Sequence, residues 1–510
     1  MKHYLLTAFV CLFLLSCKKD RVQVDQPVDP EPEFFVNEDP ATFEEISSID
    51  IGDAGAAEIT AFDPATKRLF VVNNGTVNKI DVVDFSDPKN MKVINSIAMT
   101  PYGGAVNSVA VSDGKLAAAI ESTDKQANGK VAVFKTDDLS EIKVITVGAL
   151  PDMVTFSPDG KFILTANEGE PNTTYTNDPV GSISIISVAD NYAVNTVDFS
   201  SFASKKAELT AKGFRIFGPS NDFAKDIEPE YITVSSDSET AWVTLQENNG
   251  IAKVDIASKT ITEIFPLGFK DYNVDGNEID VSDEDGAVGV AAKWPVKGIY
   301  MPDAIAVLEK NGLPYLFTAN EGDAREYDAF SEVKRIGKVK LDATKFPNAA
   351  DLQKNGQLGR LNITTTLGDI DGDGDFDELY SFGARSFSVW NGMTGAQVFD
   401  SKNELDKKAL SINVYDDGRS DDKSVEPEGI AVGKVGNKDV AFVGMERADA
   451  VAVYDVTDPT KPAFLQILKC GDAPEGVMII AAKNSPTKKS LLVVSGENDG
   501  VIKVYTPKTI

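Results

Sequence analysis

Histidine is nearly absent from this 510-residue chain; the one example is His3. Cysteine is scarce, with Cys11, Cys17 and Cys470. Positive charge is short as well: 50 Lys and Arg stand against 79 Asp and Glu. Each shortage closes off a class of chemistry. Without histidine there is no Ser-His-Asp triad, no Cys-His dyad and no histidine-ligated zinc. So few cysteines give no disulfide framework. An acidic chain without clustered cationic runs is a poor partner for nucleic acid, whose phosphates demand positive charge. What remains is chemistry by carboxylates, Arg, Lys, Tyr and Ser with a hard, oxygen-seeking cation: Ca2+, with Mg2+ as the alternative.

The first residues, MKHYLLTAFVCLFLLSC, read as a targeting segment, since the apolar run is too short to span a bilayer. Leu14-Leu15-Ser16-Cys17 resembles a bacterial lipobox. That implies a signal peptide over 1–16, a lipid on Cys17, a Pro- and Asp-rich tether over 17–41 and a folded domain over 42–510. Cleavage would also remove His3 and Cys11, leaving Cys470 as the one free thiol. The expected location is the bacterial outer membrane or cell surface, with membrane contact through the lipid only.

The domain repeats. LPDMVTFSPDG–KFILTANEGE–GSISIISVAD recurs as EPEYITVSSDSE–TAWVTLQEN–GIAKVDI, as EPEGIAVGKVGN–KDVAFVGMER–AVAVYDV and as APEGVMIIAAK–KSLLVVSGEN–GVIKVYT. Each piece is a short β-branched run bounded by turn residues. Units of this size are propeller blades. Starts near 57, 105, 150, 227, 300, 369, 426 and 473 give eight blades, with seven as the alternative because the sixth is irregular. The last unit lacks a fourth strand, which FEEISSIDIG (43–52) could supply to close the ring.

In each unit a polar residue opens one strand and another closes the next. The pairs are Glu58 with Asn74, Ser108 with Glu121, Asp152 with Glu168, Glu230 with Glu247, Asp303 with Glu321, Glu378 with Arg385, Glu428 with Glu446 and Glu475 with Glu497. Two antiparallel strands place both residues at one end of the hairpin. Around a ring they make a carboxylate-lined mouth. Glu321, Asp323, Glu428 and Glu446 are candidate catalytic acids. Glu168, Glu230, Glu247 and Asp303 are candidate ligand contacts. Arg325, Arg385, Arg419, Lys423 and Arg447 lie beside these acids, where they would either hold an anion or brace neighbouring blades.

The loop Gly368-Asp369-Ile370-Asp371-Gly372-Asp373-Gly374-Asp375-Phe376-Asp377-Glu378 carries Asp at positions one, three and five of a calcium loop. Position twelve is Tyr380 instead of Glu, so Asp377 or Glu378 must replace it. Asp369, Asp371, Asp373, Asp375 and Asp377 are the expected ligands of a structural Ca2+. A second acidic stretch, Asp275 to Asp285, is a weaker cation candidate.

TANEGE, KWPVKGIYMPDAIA, FTANEGDARE, GDIDGDGDFDELYSFGARSFSVWN and RSDDKSVEPEGIAV–VGMERADAVAVYD together resemble the choice-of-anchor I family, also called mesenchyme-specific cell-surface glycoprotein-like. The resemblance covers about 45–510 and implies a propeller held at the cell surface by varied anchors. Family members usually read Glu-Arg-Ile-Gly-Gly where this chain has Glu446-Arg447-Ala448-Asp449-Ala450, which puts that loop's geometry in question. Some members carry an alkaline-phosphatase label. The expected function is a monomeric surface module binding a small molecule, glycan or protein ligand. The alternatives are a metal-dependent phosphohydrolase, in which Ca2+ on the acids polarises the phosphoryl group while Arg385, Arg419 and Lys423 hold its oxygens, and a lactonase-like variant of it.

Overall fold

A computed structural model describes residues 34–510. The expected signal segment and the expected lipidation site at Cys17 lie outside the described residues. Among the described residues no helix is long and apolar enough to cross a membrane.

The second strand of each unit explains the architecture. Arg68–Asn73 reads RLFVVN and is buried nearly throughout. Its side chains alternate between two different cores. Phe70 and Val72 pack with Leu116, Ala118 and Ile120 on one side. Leu69 and Val71 pack with Leu491, Val493 and Ile502 on the other. A strand with period-two alternation and two apolar faces must lie between two sheets. Every unit repeats this arrangement, so the sheets stack face to face in a closed circle.

The circle has seven four-stranded sheets. Their innermost strands are Thr60–Asp63, Val106–Ser112, Pro151–Phe156, Ile232–Val234, Ile305–Lys310, Pro427–Val435 and Pro474–Ile480. Each innermost strand touches the next, and the last returns to the first. Blades I to VII are numbered in that order. The seventh is completed by Glu38–Asp50, which pairs antiparallel with Val501–Thr509. The ring is thus closed by an N-terminal strand, which begins at Glu38 rather than at 42. Phe43 seals this seam edge-on against Phe442 at 5.3 Å.

Seven blades, not eight, follow from one split unit. In blade V the second strand, Leu313–Ala319, pairs directly with Phe387–Asn391, and Gln397–Asp400 lies beyond. The intervening 320–386 is an insertion, and the segment starting near 369 belongs to it. The insertion joins the residues ahead of blade V in a small sheet of Phe269–Asp271, Lys297–Ile299 and Tyr380–Ser381. A separate core lies there, including Tyr272, Ile336, Leu358 and Leu379. The pairing of Glu378 with Arg385 fails for the same reason. Glu378 binds Lys297 at 2.8 Å, while Arg385 turns into the protein.

Candidate functional site

A short motif sets the mouth of the ring. Leu150-Pro151-Asp152, Met301-Pro302-Asp303, Glu426-Pro427-Glu428 and Ala473-Pro474-Glu475 each lead into an innermost strand. Proline disfavours the right-handed helical region for the residue before it. Leu150, Met301, Glu426 and Ala473 all adopt left-handed backbone, with φ of 47°, 45°, 48° and 55°. This kink turns their carbonyls toward the end of the second strand. The Glu168 amide donates to the Leu150 carbonyl at 2.8 Å, Glu446 to Glu426 at 2.9 Å and Glu497 to Ala473 at 3.0 Å. Each bond fixes an acid-bearing strand start beside an acid-bearing strand end. Glycine follows the acid where neighbouring strands crowd the axis. A Cβ at Gly476 would meet the Glu58 carbonyl at 2.5 Å.

Side chains from all seven blades line the resulting funnel. Glu58, Asn74, Glu121, Asp152, Glu168, Glu475 and Glu497 form one half. Glu230, Asp303, Glu321, Asp323, Glu428 and Glu446 form the other, with Lys423 and Arg447 among them. Below the acids, apolar Ile59, Met153, Tyr231, Ile430 and Val477 narrow the axis.

So many acids in one recess cannot all ionise freely. Burial pushes Glu168, Glu230, Asp303, Glu428 and Glu475 well above the carboxylate range, and neighbouring acids add to it. Burial raises Asp152 to about 7 and Glu247 to about 8. Asp323 rises to about 6 and Glu446 to about 7. Glu321 departs from this pattern. Burial works to raise it, but the Lys423 ammonium and the Gln246 amide carry it below the ordinary value. Lys423 stands 2.8 Å from Glu321, and Gln246 donates to its other oxygen at 2.9 Å.

Three groups of acids bring carboxylate oxygens within 4.8 Å of one another in the ring: Glu168, Glu228 and Glu247; Asp303, Glu321 and Glu428; Glu321, Glu426 and Glu446. The span is informative. Two oxygens on a common Ca2+ at about 2.4 Å cannot stand more than about 4.8 Å apart. The third group is already balanced by Lys423 at 3.2 Å and Arg419 at 2.5 Å, both on Glu426. In the second group Glu428 Oε2 is buried with no hydrogen-bond partner.

The basic residues divide. Lys423 and Arg447 lie in the funnel, with Arg447 2.9 Å from Glu446. Arg419 braces Glu426 and Asp422. Arg325 and Arg385 are buried at 2% and 1% exposure. Arg325 pairs with Asp226 and Glu228. Arg385 donates to the carbonyls of Asp280, Ser420 and Asp422. These two therefore knit loops together inside the protein.

The DIDGDGD loop lies on the insertion of blade V. Asp369, Asp371 and Asp377 bring their carboxylates together. Asp377 also accepts from the Ile370 amide at 2.9 Å. Asp369 accepts from the Gly372 and Gly374 amides, Asp371 from Asp373 and Asp373 from Asp375, while Asp375 pairs with Lys340 at 2.6 Å. In the Asp275–Asp285 stretch Asp275 pairs with Lys293 and Asp283 with Arg360, while Asp280 Oδ2 is buried with no hydrogen-bond partner. At the family departure, Asp449 stands in left-handed backbone with φ of 47°, a conformation Asp tolerates and glycine ordinarily supplies.

Glu228 and Glu426 escape sequence reasoning because strand pairing singles out the acid after proline. Both are the first residue of Glu-Pro-Glu, and that doubled acid is the signal that could have found them.

Glu58 gives a direct test of the funnel's electrostatics. Burial, then Glu497, raises it to about 8, while the Asn74 amide donates to it at 2.8 Å. Its folded value exceeds the unfolded one, so its contribution is complete below the unfolded value and fades as pH rises toward the folded one. Glu58→Gln keeps the Asn74 bond without the charge. The variant should match the parent near about pH 5 and exceed it by about 2 kcal/mol near about pH 9, after allowance for partial solvent screening. Thermal melts across that range check this; a difference independent of pH would refute it.

A family model, the choice-of-anchor I domain, matches residues 58–459. Gigasin-3a of Magallana gigas is 29% identical over 188 residues, 30% of this chain and 66% of that protein. The mesenchyme-specific cell surface glycoprotein of Strongylocentrotus purpuratus is 25% identical over 338 residues, 55% of this chain and 43% of that one. The chain thus spans less than two thirds of either curated relative. Among solved structures, Kuenenia stuttgartiensis hydrazine synthase aligns with a TM-score of 0.48 and 14% identity, covering 90% of this chain and 97% of that one. The β-propeller domain of Myceliophteria thermophila Cps50 (Swd1) aligns at 0.47 and 9% identity, covering 91% and 100%. With a family match across most of its blades, the chain belongs to the choice-of-anchor I family.

Proposed function

We propose that this chain is a cell-surface binding module, lipid-anchored through Cys17, whose funnel holds a divalent cation on Asp303, Glu321 and Glu428 and takes a ligand through it. The carrying observation is the convergence of these three carboxylates in an open recess, with Glu428 Oε2 lacking any partner. Ca2+ fits an all-oxygen set drawn from different strands, because it accepts irregular geometry and keeps positions for outside oxygens. Lys423 and Arg447 beside it favour a ligand rich in carboxylate, phosphate or hydroxyl oxygens, such as an acidic glycan or an acidic protein segment. Asp369, Asp371 and Asp377 would hold a second, bracing Ca2+ on the insertion.

A hydrolase draws less support. Arg385, which that reading needs on the phosphate, is committed to three backbone carbonyls. The test is calcium titration of the EDTA-stripped full chain, followed by thermal melting, acidic-glycan binding and p-nitrophenyl phosphate hydrolysis. Calcium should raise the melting temperature and be needed for glycan binding. Glu321→Gln should abolish that binding with little change in fold. Asp371→Ala should remove part of the calcium stabilisation and none of the stability in EDTA. Ligand capture unaffected by EDTA would sink the proposal. Calcium-dependent turnover lost in Glu321→Gln would put the hydrolase in its place.

A further inference from the structure

The seam between blades III and IV holds a second cluster, which shares Glu168 with the funnel wall but none of the carboxylates of the proposed funnel cation. Glu168 follows the second strand of blade III, and Glu247 the second strand of blade IV. Glu228 sits just ahead of blade IV's innermost strand. Their carboxylate oxygens all lie within 4.8 Å of one another. Glu228 and Glu247 are 1% and 5% exposed, and Glu247 Oε2 is buried with no hydrogen-bond partner. A buried carboxylate oxygen without a donor is costly and needs something to face.

The local charge is lopsided. Arg325 is the guanidinium in contact with the cluster, and it is shared between Asp226 at 2.6 Å and Glu228 at 2.9 Å. Glu170 lies close by, occupied in part by the Tyr327 hydroxyl at 3.1 Å. No cation is paired with Glu168 or Glu247 among the described ion pairs. The frame around the cluster is rigid. Asn248, fully buried, donates to the carbonyls of Arg215 and Asp226 and accepts from the Glu228 amide at 3.1 Å. Arg215 donates to the Glu247 carbonyl at 2.9 Å.

We infer that Glu168, Glu228 and Glu247 form a calcium site that clips blade III to blade IV at the rim of the funnel. The donor set is three carboxylates from three separate segments, without sulfur or imidazole, so it favours hard cations over soft and borderline metals. Mg2+ demands a compact, regular octahedron and retains its waters, which suits a buried cross-blade clip poorly. Bound there, Ca2+ would neutralise the unpartnered Glu247 oxygen and tie a loop of blade IV to a strand end of blade III. The site would add rigidity to the rim rather than contact the ligand.

The site stands independently of the funnel cation, and one experiment separates them. The full chain, stripped with EDTA, is titrated with CaCl2 in a calorimeter, and bound calcium is counted after dialysis. Glu247→Gln should lose one equivalent of tightly bound calcium relative to the parent, and Glu321→Gln should retain that equivalent. Should Glu247→Gln fold poorly, Glu168→Gln, on the partly exposed side of the cluster, gives the same reading. An unchanged equivalent count in folded Glu247→Gln or Glu168→Gln would overturn the seam site and leave a proton-sharing carboxyl cluster. An unchanged count in Glu321→Gln alone would overturn the funnel cation and leave the seam site intact.

Discussion

Arg325→Met should destabilise the protein by about 3–5 kcal/mol, the cost expected when one partner of a buried ion network is removed. The guanidinium is 2% exposed. Nη1 reaches Asp226 Oδ1 at 2.6 Å, Nε reaches Glu228 Oε2 at 3.0 Å, and Nη2 donates to the Asp226 carbonyl at 2.8 Å. Its plane lies 4.6 Å from the Phe217 ring, whose neighbourhood also holds Arg215 at 4.1 Å. Methionine keeps much of the apolar volume and none of the charge. Asp226 retains the Phe217 and Gly218 amides, at 2.7 and 2.6 Å, so part of its burial stays compensated. Glu228 keeps no comparable donor for its Oε2. Adding Glu228→Gln to Arg325→Met should therefore restore a measurable share of the loss. Urea unfolding of the single and double variants checks both statements. A single-variant loss under about 1 kcal/mol would show that the network is dispensable.

Removing residues 38–50 should have the largest effect of any deletion of comparable length. That strand is the outer edge of blade VII and the closure of the ring. Its loss takes away Phe43 from a core that includes Phe442, Leu492 and Tyr505. It also removes Glu38, whose carboxylate accepts from the Ser490 amide at 2.9 Å and its hydroxyl at 2.7 Å. The strand Val501–Thr509 would then present a bare edge, ready to pair with another chain. The expected result on gel filtration is a shift to larger species than the parent forms, with a broad, early thermal transition. A variant that elutes with the parent and melts within a few degrees of it would show that three strands suffice for blade VII.

Much of this architecture can be read in the residues because propeller blades are local. Each strand pairs with its sequence neighbour, so period-two burial and turn chemistry report the fold directly. The same locality made the acid-lined mouth legible: Asp152 and Glu168, or Glu428 and Glu446, belong to one hairpin. Blade V shows where that logic stops. Ala319 pairs with Phe387 across the long insertion, and no local pattern links them. Arg325 reaches back 97 residues to Glu228, and Arg385 reaches 105 residues to Asp280. Such pairs are chosen by tertiary geometry, so a loop arginine that resembles an anion contact can equally be a brace.

The path of Glu38–Asp50 fixes the face on which the closing strand enters the ring. Glu38 binds Ser490, at the start of the strand whose far end carries Glu497 in the funnel. Its backbone also lies against Gly436, in a blade VI turn remote from Glu446. The polypeptide therefore enters the ring on its back face. Ring closure and ligand access therefore make no demands on the same surface, since the closing strand begins on one face and the acids of the funnel line the other.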